Sequence, residues 1–239
     1  KKKMIEKLSD GHFNLYGRRR GKKLSERQKV YILNYLPTVS LSGINNCENP
    51  KREIVNLKEI FHDDNPIWLE IGFGGGEHLL SLAKGNKNIN FIGCEPYLNG
   101  VAMLLPRLAR ENLSNVKIFM DDARILFDVL PDASLEKFFL LFPDPWPKLR
   151  HKRRRFVSKK NVECFKKILK SNGLVYVATD VEEYARHVLE IFNSDIDFSW
   201  EVNSADDWHL PWKDWVSTRY YEKAKRAGRK ITFLIFKRR

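Results

Sequence analysis

From Ile67 onward, short apolar runs of strand length alternate with segments in which apolar residues recur at helical spacing. The short runs predict strands at Ile67–Ile71, Asn90–Cys94, Val116–Met120, Lys137–Phe142, Gly173–Thr179 and Lys230–Phe236. The segments between them predict helices at Glu77–Ala83, Asn99–Glu111, Lys159–Leu169 and Val181–Phe192. Strands and helices in alternation predict an α/β fold, with a mostly parallel sheet covered by helices on both faces.

The helix predicted at Val181–Phe192 has the clearest pattern. Tyr184, Val188 and Phe192 follow the spacing of one helical face, and Asp180 stands where a capping residue is expected. Parallel sheets bind ligands beyond the carboxyl ends of their strands. The residues that directly follow each predicted strand are therefore the candidates for chemistry.

The segment before Ile67 has a different character. Apolar positions between Leu24 and Leu36 predict a helix stopped by Pro37, and a loop rich in Ser, Asn and Gly follows. We therefore predict a basic arm with a helical lead-in over residues 1–60 and one large domain over residues 61–239.

Charge changes the picture more than any other property of the composition. The chain has 43 Lys and Arg against 30 Asp and Glu, a net charge of +13. A solubilising surface would account for a small excess, but these cations are clustered, at Arg18–Lys23, Lys148–Arg155, Lys223–Lys230 and Lys237–Arg239. Clusters of this kind favour a polyanionic partner, since each neutralised phosphate of a nucleic acid releases counterions.

Cysteine and histidine positions argue against disulfides and metal. The three cysteines never occur as CxxC, and the six histidines show no metal-ligand spacing. No apolar stretch approaches the ~20 residues of a membrane helix. Lys1–Asp10 lacks the apolar region of a secretory signal. We therefore expect a cytoplasmic protein without membrane or metal.

A glycine-rich loop, Glu70 to Glu77, directly follows the first predicted strand. A dinucleotide-binding pattern, GxGxxG, starting at Gly72 would require glycine at position 77, where this chain has Glu77. The observed pattern is ExGxGxG, formed by Glu70, Gly72, Gly74 and Gly76. It resembles the first motif of class I S-adenosylmethionine-dependent methyltransferases, whose cofactor carries no phosphate.

Two further acids follow the next two predicted strands. Glu95 is placed to accept the ribose hydroxyls of a nucleoside, and Asp122 to accept from the adenine amino group. Either acid taken alone is explained equally well as a helix cap. Acids at three successive strand ends, counting Glu70, favour the cofactor site.

The fourth predicted strand ends in Phe142-Pro143-Asp144-Pro145-Trp146-Pro147-Lys148. The prolines fix φ and stiffen the segment, which holds Asp144 and Trp146 in place. The same features also fit a rigid structural turn.

The run from Phe142 to Lys148, continued by Arg150, His151 and Arg153-Arg154-Arg155-Phe156, resembles the signature of the bacterial tRNA (guanine-N7)-methyltransferases. The resemblance covers most of the chain and includes Gly17-Arg18-Arg19 to Gln28, the Glu70 loop, Glu95-Pro96, Asp122-Ala123, Ala178-Thr179-Asp180 and Thr218-Arg219-Tyr220.

The resemblance implies a Rossmann-like methyltransferase domain and methyl transfer from S-adenosylmethionine to N7 of guanine at position 46, in the variable loop of tRNA. It implies that Glu70, Glu95, Asp122 and Asp144 line the cofactor site, and that Asp144 is catalytic. It assigns substrate contacts to Lys148, Asp180 and the Thr218-Arg219-Tyr220 element. The family usually has Glu where this chain has Tyr221, and Glu222 stands one residue later. Which of these two positions takes the role of the Glu is left open, as are the choice between monomer and homodimer and the tRNA species modified.

Three other functions remain as alternatives. Methyltransferases acting on exocyclic amines carry Asn/Asp-Pro-Pro-aromatic at this strand end, whereas here only Pro145 separates Asp144 from Trp146. A non-catalytic RNA-binding relative would not require the four acids. A nicotinamide-dependent reductase is disfavoured by Glu77.

Overall fold

The structure is a computed structural model, and it describes residues 15–239. The first part of the predicted basic arm, residues 1–14, lies outside the described residues. The chain divides into two compact units. The first comprises the chain up to Pro66 together with Phe73–Pro131, and the second comprises Ile67–Gly72 and Asp132–Arg239.

Seven strands form one sheet in the order β3-β2-β1-β4-β5-β7-β6. They are β1 (Ile67–Ile71), β2 (Asn90–Cys94), β3 (Val116–Phe119), β4 (Leu135–Leu141), β5 (Leu169–Thr179), β6 (Phe198–Trp200) and β7 (Thr232–Arg238). The pairs β2–β3, β1–β4 and β4–β5 are parallel, and β7 runs antiparallel to both β5 and β6. The predicted α/β fold with a mostly parallel sheet is confirmed.

Ten α-helices and one 3₁₀ helix occur among the described residues. The α-helices are α1 (Glu26–Asn34), α2 (Leu36–Val39), α3 (Leu57–Phe61), α4 (Glu77–Gly85), α5 (Leu98–Glu111), α6 (Arg124–Phe127), α7 (Lys159–Ile168), α8 (Glu182–Asn193), α9 (Asp206–His209) and α10 (Arg219–Arg226). The 3₁₀ helix is Leu149–Arg154.

The first unit is built around β2, β3 and α5. Leu104, Leu105 and Leu108 project from α5 and are fully buried, as are Ile92 of β2 and, almost fully, Ile118 of β3. Apolar residues at this spacing bury one face of a helix against the strands. The inner positions of both strands are apolar because parallel strands are covered on both faces.

The core of the second unit is rich in aromatic rings. Phe138 of β4 packs on Phe165 of α7, with ring centroids 4.5 Å apart. Phe192 of α8 stacks on Phe236 of β7 at 4.1 Å. All four side chains are fully buried. These pairs therefore fix α7 on β4 and α8 on β7.

The predicted helix at residues 24–36 is wrong in its bounds. Helix α1 begins at Glu26, because Ser25 and Gln28 form a reciprocal capping box, and it ends at Asn34. Pro37 does not stop it. Instead Pro37 lies in the first turn of α2, where its missing N–H leaves no helical hydrogen bond unmade.

Strand β6 was not predicted, because three residues are too few to show a period-two pattern. Strand β5 begins four residues earlier than predicted, at Leu169. Its early part contains Lys170, Ser171 and Asn172, whose polarity hid the strand, and Asn172 has a φ of 65°. The predicted boundary near residue 60 stays a prediction.

Candidate active site

From Phe73 onward the glycine loop belongs to the first unit, where it is tightly folded. The Gly76 N–H donates to the Phe73 carbonyl at 2.8 Å. Gly72, Gly74 and Gly76 have φ of 73°, 55° and 74°. At Gly76 a Cβ would also lie 2.7 Å from Leu104 Cδ1, so both the backbone conformation and the space require glycine there.

Glu95, directly after β2, is joined to this loop. Its Oε2 accepts from the Gly74 N–H at 2.7 Å, and its Oε1 accepts from the Tyr97 N–H at 2.9 Å. Only 7% of Glu95 is exposed. A Cβ on Gly100 would lie 2.5 Å from the Gly74 carbonyl oxygen, so the start of α5 packs directly on the loop. The first unit therefore brings Gly74, Gly76 and Glu95 together, and their predicted role in holding the cofactor stays a prediction.

Glu77 is the first residue of α4, and its carboxylate lies 3.8 Å from Arg107 Nη1. The same Arg107 atom donates to the Gly75 carbonyl at 3.1 Å. A carboxylate at a helix N-terminus is stabilised by the helix dipole, and it repels a phosphate placed there. The loop therefore suits a cofactor without a pyrophosphate.

Asp122 follows β3, but its carboxylate is already engaged. Arg124 donates to Oδ1 from its backbone N–H at 3.0 Å and from Nε at 2.9 Å, and to Oδ2 from Nη2 at 2.5 Å. A carboxylate has about four lone-pair directions, and Arg124 takes three of them. Its contact with the Arg124 N–H resembles the helix-cap alternative, and its role toward adenine stays a prediction.

Asp121 was missed as a candidate. Its Oδ1 accepts from the Asp122 N–H at 2.8 Å and lies 3.1 Å from Arg19 Nη2 of the basic arm. Burial raises the pKa of the Asp121 carboxyl, and Arg19 opposes that shift. The arm is also tied to α5, because Leu98 donates to the Arg19 carbonyl at 2.9 Å. No local pattern links positions so far apart, so the sequence carried no signal for this pair.

In the second unit, Glu70 and Gly72 lie at the carboxyl end of β1. Glu70 is 4% exposed and pairs in register with Phe139 of β4. Gly72 directly follows the strand, and a Cβ there would meet nothing within 4 Å. Since β1, β4 and β5 are parallel, the residues after β4 and β5 leave the sheet at the same edge.

The loop after β4 has an unusual backbone. Phe142 and Trp146 have φ of 51° and 43°, the left-handed region, on either side of Asp144. Such residues cost on the order of 1–3 kcal/mol each and persist where neighbouring contacts hold them. Phe142 donates to the Ala178 carbonyl at 2.7 Å and stacks on Tyr220 with ring centroids 6.4 Å apart.

Trp146 is held on the other side of Asp144. The guanidinium carbon of Arg154 lies 5.0 Å from its ring centroid, and the His151 ring lies edge-on at 5.8 Å. Both residues come from the 3₁₀ helix that follows the loop. A cation over an indole face and an edge-on ring are favourable contacts, so Trp146 is fixed by the adjoining basic segment.

Asp144 itself is exposed at the surface, but its surroundings are crowded enough to desolvate it partly, which raises the pKa of its carboxyl. Desolvation is the sole cause of the shift, and no cation within residues 15–239 lowers this pKa. The carboxylate is thus held by its backbone and is accessible to a partner. Lys148, the N-cap of the 3₁₀ helix, is also exposed.

The capping role predicted for Asp180 is wrong. The N-cap of α8 is Val181, without a side-chain hydrogen bond, and Asp180 Oδ2 instead accepts from Arg229 Nε at 2.6 Å. The carboxylate is therefore engaged by an arginine of the Lys223–Lys230 cluster and not by the backbone N–H groups of α8. Asp180 remains at the carboxyl end of β5, where a substrate contact was predicted.

Thr218 is the N-cap of α10, and its Oγ1 accepts from the Tyr221 N–H at 3.1 Å. The Tyr221 ring packs against Trp215 at 5.3 Å and Phe233 at 6.4 Å. Glu222 is exposed and accepts from Ser217 Oγ at 2.5 Å. Of the two positions, only Glu222 presents a carboxylate beside Thr218, while Arg219 and Tyr220 are exposed in the first turn.

Two tryptophans of the stretch before α10 pack on each other and on neighbouring rings. Trp212 contacts Trp215 at 4.9 Å, Tyr176 at 4.9 Å and Phe233 at 5.6 Å. Within residues 15–239, no group of three or more His, Cys, Asp and Glu side chains is arranged to hold a metal ion. None of the helices described is long and apolar enough to cross a membrane.

Comparison with known proteins identifies the family. The family described as "Putative methyltransferase" matches residues 64–234. A curated tRNA (guanine-N(7)-)-methyltransferase of Roseobacter denitrificans is 46% identical over 234 residues, which cover 98% of this chain and 100% of the relative. One of the same name from Jannaschia sp. is 46% identical over 228 residues, 95% of each chain.

Among solved structures, the crystal structure of the 16S rRNA methyltransferase KamB superposes with a TM-score of 0.52 at 12% identity, over 78% of this chain and 94% of that one. At this identity the likeness concerns the fold, which is that of a methyltransferase. The near full-length relatives decide the family, and the chain belongs to the tRNA (guanine-N(7)-)-methyltransferases.

Proposed function

We propose that this chain transfers a methyl group from S-adenosylmethionine to N7 of a guanine in the variable loop of tRNA, at position 46. The observation that carries the proposal is Asp144, an accessible carboxylate in a firmly held loop at the end of β4. The names of the curated relatives support the same substrate and the same atom.

The first unit has the features that a nucleoside cofactor needs. Backbone N–H groups on both oxygens fix the Glu95 carboxylate, which suits it to accept paired ribose hydroxyls. Glu77 disfavours a phosphate at the same loop. When bound, the cofactor supplies an electrophilic methyl group on a positively charged sulfur, and the negative charge of Glu95 favours such a cation.

The chain's task toward the base is positioning. Guanine N7 has an in-plane lone pair and no proton, so no side chain has to act as a general base to create the nucleophile. Holding N7 in line and near attack distance supplies ~7–11 kcal/mol of barrier reduction in favourable cases. Rigid contacts around Phe142 and Trp146 serve this purpose because they limit the freedom of the loop.

Asp144 is the group we assign to the base. Methylation at N7 leaves the purine cationic, and a carboxylate that accepts from the N1–H and the amino group is stabilised more strongly as that charge develops. Lys148 and the exposed arginines of the following segment, Arg150 and Arg153, are suited to the flanking phosphates.

Incubation with methyl-labelled cofactor and unmodified tRNA, followed by mass spectrometry of the product nucleosides, tests the proposal. We expect 7-methylguanosine from a single site in the variable loop, and much less of it from Asp144→Asn. A label on an exocyclic amine would indicate the rival methyltransferase chemistry. Binding of tRNA without any transfer would indicate a non-catalytic RNA-binding protein.

A further inference from the structure

Arg155 is a buried cation next to the proposed catalytic loop, and neither the proposed chemistry nor the phosphate contacts use it. Its side chain is 1% exposed, although it belongs to the basic run Lys148–Arg155, whose other members are at least partly exposed. Charged side chains are almost never buried to this extent without a specific partner. Its contacts therefore indicate a role other than binding phosphate.

The first of these contacts is to the loop itself. Arg155 Nε donates at 2.9 Å to the carbonyl of Pro145, the residue directly after Asp144. Pro143, Pro145 and Pro147 lack an N–H, so the loop has few backbone donors with which to fix itself. The Arg155 side chain donates to a loop carbonyl from outside the loop, and so it supplies a hydrogen bond of the kind that the prolines cannot make.

The second contact anchors the guanidinium on the body of the second unit. Arg155 Nη2 donates to Glu183 of α8, and the Lys152 ammonium lies 2.7 Å from the same carboxylate. The two cations lower the pKa of Glu183 to about 2, so this carboxylate stays ionised. The guanidinium carbon also lies 5.6 Å from the ring centroid of Tyr184, which is fully buried.

This arrangement is not one that maximises stability. Arg155 Nη1 is buried without a hydrogen-bond partner within residues 15–239. A buried guanidinium with one unsatisfied donor carries a desolvation cost that offsets part of what its ion pair contributes. Nor does Arg155 lower the pKa of Asp144, whose shift comes from desolvation alone. Its effect is on the backbone of the loop and not on the charge of Asp144.

We propose that Arg155 is a positioning residue for methyl transfer: with Glu183 as counter-ion, it holds the Pro145 carbonyl and thereby fixes the backbone that carries Asp144. This deepens the proposed function and rests on it. Arg155 acts on the backbone that carries Asp144, so its loss should slow the chemical step. Because its side chain is buried and paired, the loss should leave tRNA affinity nearly unchanged.

Arg155→Lys keeps the charge, but a single ammonium cannot span both partners. We expect single-turnover methyl transfer to fall by roughly 10- to 100-fold, since small misplacements of reacting groups have effects of this size. The KM for tRNA should change by less than about threefold. Glu183→Gln, which removes only the counter-ion, should give a smaller loss in the same direction.

Asp195→Asn is the matched control. Asp195 accepts from Lys166 Nζ at 3.1 Å in another ion pair of the second unit, far along the chain from the loop. The Asp195→Asn variant should have a lower melting temperature than the wild type but an unchanged rate of methyl transfer. A wild-type rate in Arg155→Lys would overturn the proposal, and so would equal slowing in Asp195→Asn.

Hydrogen–deuterium exchange of the segment Phe142–Lys148 provides a readout that needs no activity. The proposal requires faster exchange there in Arg155→Lys than in the wild type, and unchanged exchange in Asp195→Asn. If the wild type transfers no methyl to guanine N7, the proposed function fails, while the exchange data still decide whether Arg155 holds the loop. Unchanged exchange in Arg155→Lys would contradict that holding role.

Discussion

At the scale of single residues, the ionisation of Asp144 links structure to chemistry. Partial desolvation raises the pKa of its carboxyl. Ionising this carboxyl therefore costs more free energy in the folded than in the unfolded protein, so the charged form weakens folding slightly at pH values above the folded pKa. The assigned role requires this charged form. Asp144 thus belongs to the functional groups whose placement serves the reaction at some expense of stability.

We expect the acid limb of the single-turnover rate profile to lie above the ordinary Asp range near 3.9. Asp144→Asn should lower the rate by roughly 10²–10³-fold and remove that limb, because the charge that responds to the developing cation is gone. Its melting temperature at neutral pH should be unchanged or higher. Transfer by Asp144→Asn within threefold of the wild-type rate would contradict the assignment. Asp144→Glu keeps the charge but moves the carboxylate, so its rate shows whether the placement of the charge matters.

Sequence reasoning worked at this scale where a residue stands directly after a strand. The positions of Glu95, directly after β2, and of Asp144, in the loop after β4, could be predicted from the strand pattern, while their roles stay predictions. The residues that contact the loops after the strands could not be predicted. Arg19 contacts Asp121, and Arg155 contacts Pro145 and Glu183, through the tertiary fold. The sequence of a basic run does not show which of its arginines is buried and which are exposed.

At the scale of elements, α10 shows how one shifted residue alters a helix start. A Thr with Glu three residues later forms a capping box, in which each side chain bonds the other's backbone N–H. In this chain Thr218 caps the Tyr221 N–H, but the third position offers an aromatic ring that joins Trp215 and Phe233. The carboxylate stands at Glu222 and bonds Ser217.

Glu222 is therefore the residue that we expect to take the substrate role of the family's Glu. Glu222→Gln should raise the KM for tRNA several-fold while leaving the melting temperature unchanged, because the side chain is exposed. Glu190→Gln, a change of the same kind at an exposed position of α8, serves as the control. A KM for Glu222→Gln that is no higher than that for Glu190→Gln would contradict the substrate role of Glu222.

The start of α8 gives a prediction about stability. Arg155 and Lys152 lower the pKa of Glu183 from 4.5 to about 2. A lowered folded pKa contributes stability that is fully present above the unfolded value and is lost as pH falls from about 4.5 toward 2. Urea unfolding should thus show wild type more stable than Glu183→Gln at pH 6–7, with the gap narrowing by pH 3. A gap independent of pH would mean that the ion pairs are not its source.

At the scale of the whole molecule, the excess of cations was the main sequence signal for a nucleic acid, but it overstates the charge available to RNA. Several members of the clusters are paired with carboxylates of the protein itself, although of these only Arg155 is buried. Arg19 pairs with Asp121, Lys152 and Arg155 with Glu183, and Arg229 with Asp180. Net charge is additive along a sequence, whereas only the fold decides which charges face solvent.

The salt dependence of tRNA binding measures how many cations remain available to the phosphates of tRNA. Exposed cations such as Arg18, Lys22, Lys148, Arg150 and Arg153 release counterions when they meet phosphates, so log K should fall linearly with log salt. With a handful of such contacts we expect a slope on the order of −4, or roughly two to three orders of magnitude in affinity between 50 and 200 mM salt.

Arg153→Gln should reduce the steepness of that slope by about one unit, because it removes one phosphate contact, while Lys51→Gln, outside the clusters, should leave it unchanged. Arg155→Lys should also leave it unchanged, since Arg155 is buried and already paired. A slope that shifts as much for Arg155→Lys as for Arg153→Gln would place Arg155 among the phosphate contacts. The salt slope therefore separates the cations that bind RNA from those that hold the loop.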